Sequence, residues 1–126
     1  MPDLDYVDCL QVLPDEILWR VISPQWYEIN SETGEVEVST GAFITREMSV
    51  YRASKISFQE VLRKPQFSSM SKVGAFTAKF AREIGCILVL DPSDDAHVMI
   101  CPKDKPEKRI SGSQANAFKR EIGQPI

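Results

Sequence analysis

The chain has 126 residues, 43% apolar and 26% charged, with a net charge of −3 at pH 7. That is the length and balance of one globular domain, large enough to bury a core without metal or disulfide staples. The longest apolar run, residues 86–90, is too short to cross a bilayer as a helix, and no clean basic face marks a dedicated DNA binder.

The charge divides unevenly. Residues 1–63 carry 5 Lys and Arg against 11 Asp and Glu, a balance of −6, and residues 64–126 carry 10 against 7, a balance of +3. The opening MPDLDYVDCL is acidic where a secretory signal would be basic and then apolar, so a cytoplasmic location is expected. Three irregularly spaced cysteines, Cys9, Cys86 and Cys101, fit a reducing compartment and read as small buried or half-buried side chains.

Residues 1–15 lack periodicity and read as an N-terminal arm. Leu4, Tyr6, Val7, Leu10 and Val12 make it too apolar for a plain tail, so it should pack on its own domain or on a partner. The domain proper spans 16–126. EILWRVIS alternates as a strand, and Leu18 and Ile22 give it a second apolar face. WYEINSETGEVEVS reads as a hairpin with Gly34 free to take positive φ. GAFI and MSVYRAS continue the β character. Ser57 and Glu60 have the spacing of a capping box for a short helix that Pro65 ends.

A longer helix is expected from Ser71 to Ile84, because Val73, Phe76, Phe80 and Ile84 fall at steps of three and four, with Gly85 as its cap. CILVLD and AHVMICP are strands around the turn residues 91–95. A last helix starts near Ser111 or Ser113 and ends at Gly123. FAREIG and FKREIG recur 38 residues apart. The surrounding residues do not match, so shared helix-ending chemistry explains the echo better than duplication.

These elements predict a single α+β domain, with a mixed or mainly antiparallel sheet and two to three helices packed mainly on one face. Phe76, Phe80, Ile84 and Phe118 are expected to face Trp19, Val21, Leu88 and Val89.

Candidate chemistry is sparse. His97, the only histidine, follows Asp94 and Asp95, and a carboxylate could orient it as a general base. The same residues also suit an ordinary strand–turn–strand. His97 and Cys101 share a strand face but lie well apart along it, and no C-x-x-C pair exists, so no metal is expected. No nucleophile elbow, P-loop or dinucleotide fingerprint occurs, and no cofactor is expected. Arg20, inside an apolar strand, is expected to pair with an acid such as Glu37 or Glu47. Trp26, Tyr27 and Tyr51 are the candidate binding aromatics, although core packing accounts for most aromatics of that half. Residues 103–109 are basic but contain no aromatic that could stack on a base, so they read as a solvated loop and nucleic acid is not expected as a partner.

Two resemblances add to this reading. Arg20 followed by Ser39 and Thr40 in STGAF resembles the order of the arginine–serine–glutamate ADP-ribosyltransferases. That likeness implies that Arg20 and Ser39 would help hold a nicotinamide dinucleotide. The glutamate motif expected after the Ser-Thr strand is missing, since EVE at 35–37 precedes it. Over most of the chain, LWRVIS, STGAF, MSVYRAS, FAREIGCILVLDP and HVMI resemble a group of short uncharacterised bacterial cytosolic proteins, which implies no activity. The expected function is that of a non-catalytic bacterial binding or accessory protein with a protein partner or a second copy, and no membrane. The alternative is a small nucleotide- or NAD-handling enzyme built on Arg20, Ser39 and His97.

Overall fold

The structure, a computed structural model, describes residues 6–126. Residues 1–5 of the acidic opening stretch, Leu4 among them, lie outside the described residues. Seven strands follow one another in the chain: β1 (Ile17–Ile22), β2 (Tyr27–Ile29), β3 (Val36–Val38), β4 (Met48–Arg52), β5 (Lys72–Thr77), β6 (Cys86–Asp91) and β7 (Asp94–Pro102). Three α-helices interrupt them: α1 (Phe58–Leu62), α2 (Ala78–Glu83) and α3 (Gly112–Ile122). Five strands form one antiparallel sheet in the order β5-β1-β4-β7-β6, and β2 and β3 form a separate hairpin. The architecture is α+β.

Local chemistry sets the helix ends. Ser57 and Ser111 each accept the backbone N–H three residues on, and Glu60 and Gln114 reach back to close two capping boxes. Gly85 and Gly123 take φ values of 90° and 56° at the ends of FAREIG and FKREIG, which the shared helix-ending chemistry requires. In the hairpin, Asn30 accepts the amides of Glu32 and Thr33 at 2.9 and 3.1 Å, and Gly34 turns the chain at φ 76°.

The alternation of each strand divides the core. Leu18, Ile22, Met48, Val50, Leu88, Val98 and Ile100 point to one face, where α2 and α3 cover them through Phe80 and Phe118. Phe118 is fully buried between Phe43, Phe76 and Phe80, with ring centroids at 6.0, 4.8 and 5.8 Å, a burial worth about 2–3 kcal/mol. Trp19, Val21 and Tyr51 point to the other face, beneath Val61 of α1. Ile87, Val89, Met99 and Cys101 share that second face.

Three expectations are corrected. The stretch 71–84 is not one helix: residues 72–77 are β5, the strand pairing with β1 from Val73↔Val21 to Thr77↔Ile17, and only 78–83 are helical, capped by the Thr77 hydroxyl. Val73 and Phe76 are both buried because β5 is covered on both faces, which counterfeits a helical stripe. STGAF is not a strand: Ser39 caps a 3-10 turn over Thr40–Phe43. Gly41 is required there, since a Cβ would lie 2.5 Å from Trp26. Finally, Trp19, Val21 and Val89 face away from Phe118, so α2 and α3 pack on the opposite parity of β1 from the one expected, and α1 takes the Trp19–Val21 face.

Both chain ends close strand edges. The Cys9 amide donates to the Leu88 carbonyl at 2.7 Å, and Asp8 accepts the Leu88 amide at 2.9 Å while pairing with Arg82 at 3.0 Å. Ile126 exchanges two backbone hydrogen bonds with Val73 on β5. The Gln124 side chain takes both main-chain groups of Val36 on β3, at 2.9 Å each.

Candidate functional site

Arg20 leaves β1 on the same face as Leu18 and Ile22. Its guanidinium donates to the carbonyls of Ser49 at 3.0 Å and Ala42 at 2.6 Å. No carboxylate lies within ion-pairing distance of it among the described residues, so the expected partners Glu37 and Glu47 are replaced by main-chain oxygens. Burial draws its pKa down to about 10, partly opposed by Tyr51, which still leaves it charged at neutral pH. The guanidinium ties the 3-10 turn to β4, and only its Nε lacks a partner.

Ser39 lies on that same side of the sheet, where its oxygen accepts the Gly41 amide. Thr40 donates to Asn116 at 3.0 Å. His97 lies on the opposite face, directly across from Tyr51 in the β4–β7 ladder, with ring centroids 5.2 Å apart. Its Nδ1 donates to Asp91 at 2.9 Å. That hydrogen bond, aided by Ser93, holds the Asp91 carboxyl down to about 2. The other ring nitrogen, Nε2, is buried and has no partner. An oriented imidazole is therefore present, but the nitrogen that would take a substrate proton is sealed. Arg20 and Ser39 each bond a main-chain group of the 3-10 turn, Ala42 and Gly41 respectively, and His97 lies on the opposite face of the sheet.

Of the aromatics, Tyr51 is buried, packed edge-on against Phe67, and has Lys64 5.3 Å above its ring. Trp26 and Tyr27 do share a depression, bounded by Glu28, Glu37 and Lys119. The Tyr27 hydroxyl is committed to the Met70 carbonyl. No three His, Cys, Asp or Glu side chains gather to hold a metal ion, and no helix is long and apolar enough to cross a membrane, both statements among the described residues.

The arm, expected from its apolar residues to pack on its own domain or on a partner, packs on its own domain at Val12 and leaves an exposed apolar surface. Val12 of the arm is fully buried, yet its neighbours Leu10 and Leu13 are 81% and 59% exposed, and Ile17 at the start of β1 is 43% exposed. Leu13 and Ile17 border a depression of about 450 Å³ whose wall includes Asp15, Glu16, Arg52 and Ser54. Glu16 accepts two hydrogen bonds from Arg52, at 3.1 and 2.9 Å, through Oε1. Through Oε2 it accepts from the amide and hydroxyl of Ser54. Burial alone would raise the Glu16 pKa; the bonds from Arg52 and Ser54 outweigh it and hold the carboxyl below its ordinary value. Arg52 also reaches the Asp95 carbonyl at 3.3 Å. The arm is thus fixed from behind at Val12 and in front at Glu16, with its larger aliphatic side chains turned to water. The signal in the sequence was an arm rich in aliphatics next to an acid, Glu16, opening a strand.

No protein-family model, no curated protein and no solved structure matches this chain.

Proposed function

We infer that this chain is a non-catalytic binding protein that engages a protein partner through the arm and the start of β1. One observation carries this reading: Leu10, Leu13 and Ile17 are exposed on a segment whose backbone is pinned. Apolar side chains held in place in water are the mark of an interaction face, and a preordered face loses little entropy on binding. Asp15 at the rim and the −6 balance of residues 1–63 favour a partner segment that is apolar and flanked by lysine or arginine. The enzyme alternative has less support. Arg20 spends both terminal guanidinium nitrogens, and Ser39 its oxygen, on main-chain groups, and the free nitrogen of His97 is buried.

The test is site-specific photo-crosslinking in the native host, with benzoylphenylalanine at Leu10, at Leu13 and, as a control, at Lys119. The expected result is an adduct of one discrete mass from the arm positions alone, lost in Asp15→Lys or Ile17→Asp. An adduct of twice the chain mass identifies the partner as a second copy. Equal labelling from Lys119, or none from the arm, rejects the reading.

A further inference from the structure

The loop joining β7 to α3 has no part in the arm face. Its composition, CPKDKPEKR, reads as solvated, but its backbone is anchored. Lys103 donates to Gly85 at 2.9 Å, Lys108 to Lys105 at 2.9 Å, and Ile110, 1% exposed, to Thr45 at 3.1 Å. The last bond clips the loop against the segment that carries Arg46.

Two depressions result, and they share a wall at Arg109. One, of about 460 Å³, is bordered by Lys105, Lys108, Arg109 and Ser113. The other, of about 430 Å³, lies between Arg109 and Arg46. Four cations and one carboxylate, Asp104, border the pair. None of the four cations has a carboxylate within 4.0 Å among the described residues. The acid of the neighbouring segment, Glu47, accepts the Tyr6 hydroxyl at 2.7 Å.

Four exposed cations without a carboxylate partner border two hollows that meet at Arg109, and an anion entering there would offset their charge. Arginine offers a planar fork for phosphate oxygens, and lysine a compact charge. We propose that these joined hollows bind a small ligand carrying two or more phosphate groups, with Arg109 between them and Arg46 and the Lys105–Lys108 pair on either side. The span over two hollows selects a polyphosphate over a single phosphate. No aromatic borders either hollow, which favours such a ligand over a stacked nucleic-acid strand.

The test is titration of the isotope-labelled full chain with inorganic phosphate, pyrophosphate and tripolyphosphate, followed by backbone amide shifts at physiological salt. Saturable shifts confined to Thr45, Arg46 and residues 103–114 are expected, with affinity rising along the series. Lys108→Ser with Arg109→Ser should weaken tripolyphosphate at least about tenfold. Lys119→Ser with Arg120→Ser, at the far end of α3, should leave it unchanged. All four side chains are exposed, and unchanged melting temperatures confirm the fold. The proposal is overturned if no saturation is reached by about 10 mM, which is weaker than any specific site. It is also overturned if both double variants weaken binding equally, or if a single-stranded oligonucleotide of equal charge binds more tightly at these residues.

Discussion

Replacing Glu16 by Gln tests the polar anchor beneath the arm face. Glu16 and Arg52 are 7% and 9% exposed at the side chain, so the substitution leaves a buried guanidinium facing a neutral amide. Removing one partner of a buried pair costs about 3–5 kcal/mol. The pair walls an open depression where water screens it, so the low end, about 3 kcal/mol, applies, or about 10 °C in melting temperature for a chain of this length. The pH dependence gives an independent check. The folded pKa of Glu16 lies below its ordinary value of 4.5. Its contribution to stability is complete above that value and is lost as the pH falls through the lower folded one. Urea melts at about pH 7 should therefore separate wild type from Glu16→Gln by about 3 kcal/mol, and the gap should narrow progressively as the pH falls below 4.5. Replacing both partners, Glu16→Leu with Arg52→Met, should lie closer to wild type than Glu16→Gln alone, since no unpaired charge remains. A gap under about 1 kcal/mol at neutral pH, or one of constant size on acidification, refutes the ion-pair account.

Gly74→Ala should cost about 1–3 kcal/mol in urea melts, because its Cβ would lie 2.8 Å from Cδ1 and 3.1 Å from Cγ2 of the buried Ile122 on α3, whose side chain must shift; Ile122→Val should recover part of the loss. Burial raises the Cys86 and Cys101 thiols to about 12 and 11, so at about pH 8 iodoacetamide should modify only the half-buried Cys9 in the folded chain, as intact mass would report. Deleting residues 124–126 removes the cover from Val36 and Val73. It should produce concentration-dependent association in light scattering, because two strand edges open.

What the sequence made legible is the chemistry of element ends. Ser57 with Glu60, Ser111 with Gln114, and the glycines at 85 and 123 each act within three or four residues, so their signals survive without knowledge of the fold. The misreading of 71–84 has the opposite origin. A strand buried on both faces has no alternation to display, and Val73 and Phe76 reach different faces through a spacing that a helix also allows. Whether β5 pairs with β1 depends on residues more than fifty positions away, a contact that no local window contains. The parity of β1 was lost for a related reason: Leu18, Trp19, Val21 and Ile22 are apolar on both faces, so the face that meets Phe118 is chosen by tertiary packing. The anchored basic loop escaped because its fixing bond, from Ile110 to Thr45, joins segments distant in sequence.

The covered edges bear on how a partner could be engaged. Strand addition needs a free ladder of main-chain donors and acceptors. Here Cys9 and Asp8 occupy Leu88 on β6, Ile126 occupies Val73 on β5, and Gln124 occupies Val36 on β3. The two outer strands of the main sheet are thus each blocked by a terminal segment of the same chain, which is how native sheets avoid edge-to-edge association. Recognition is left to side chains, and two surfaces present them without internal partners: the aliphatic arm in the acidic half and the cationic loop in the basic half. Because each rests on a backbone pinned by long-range hydrogen bonds, neither needs to fold on contact. On the two readings proposed above, the opposite signs of the two halves would suit them to different ligands, an apolar and basic segment for the first and a phosphate-rich anion for the second.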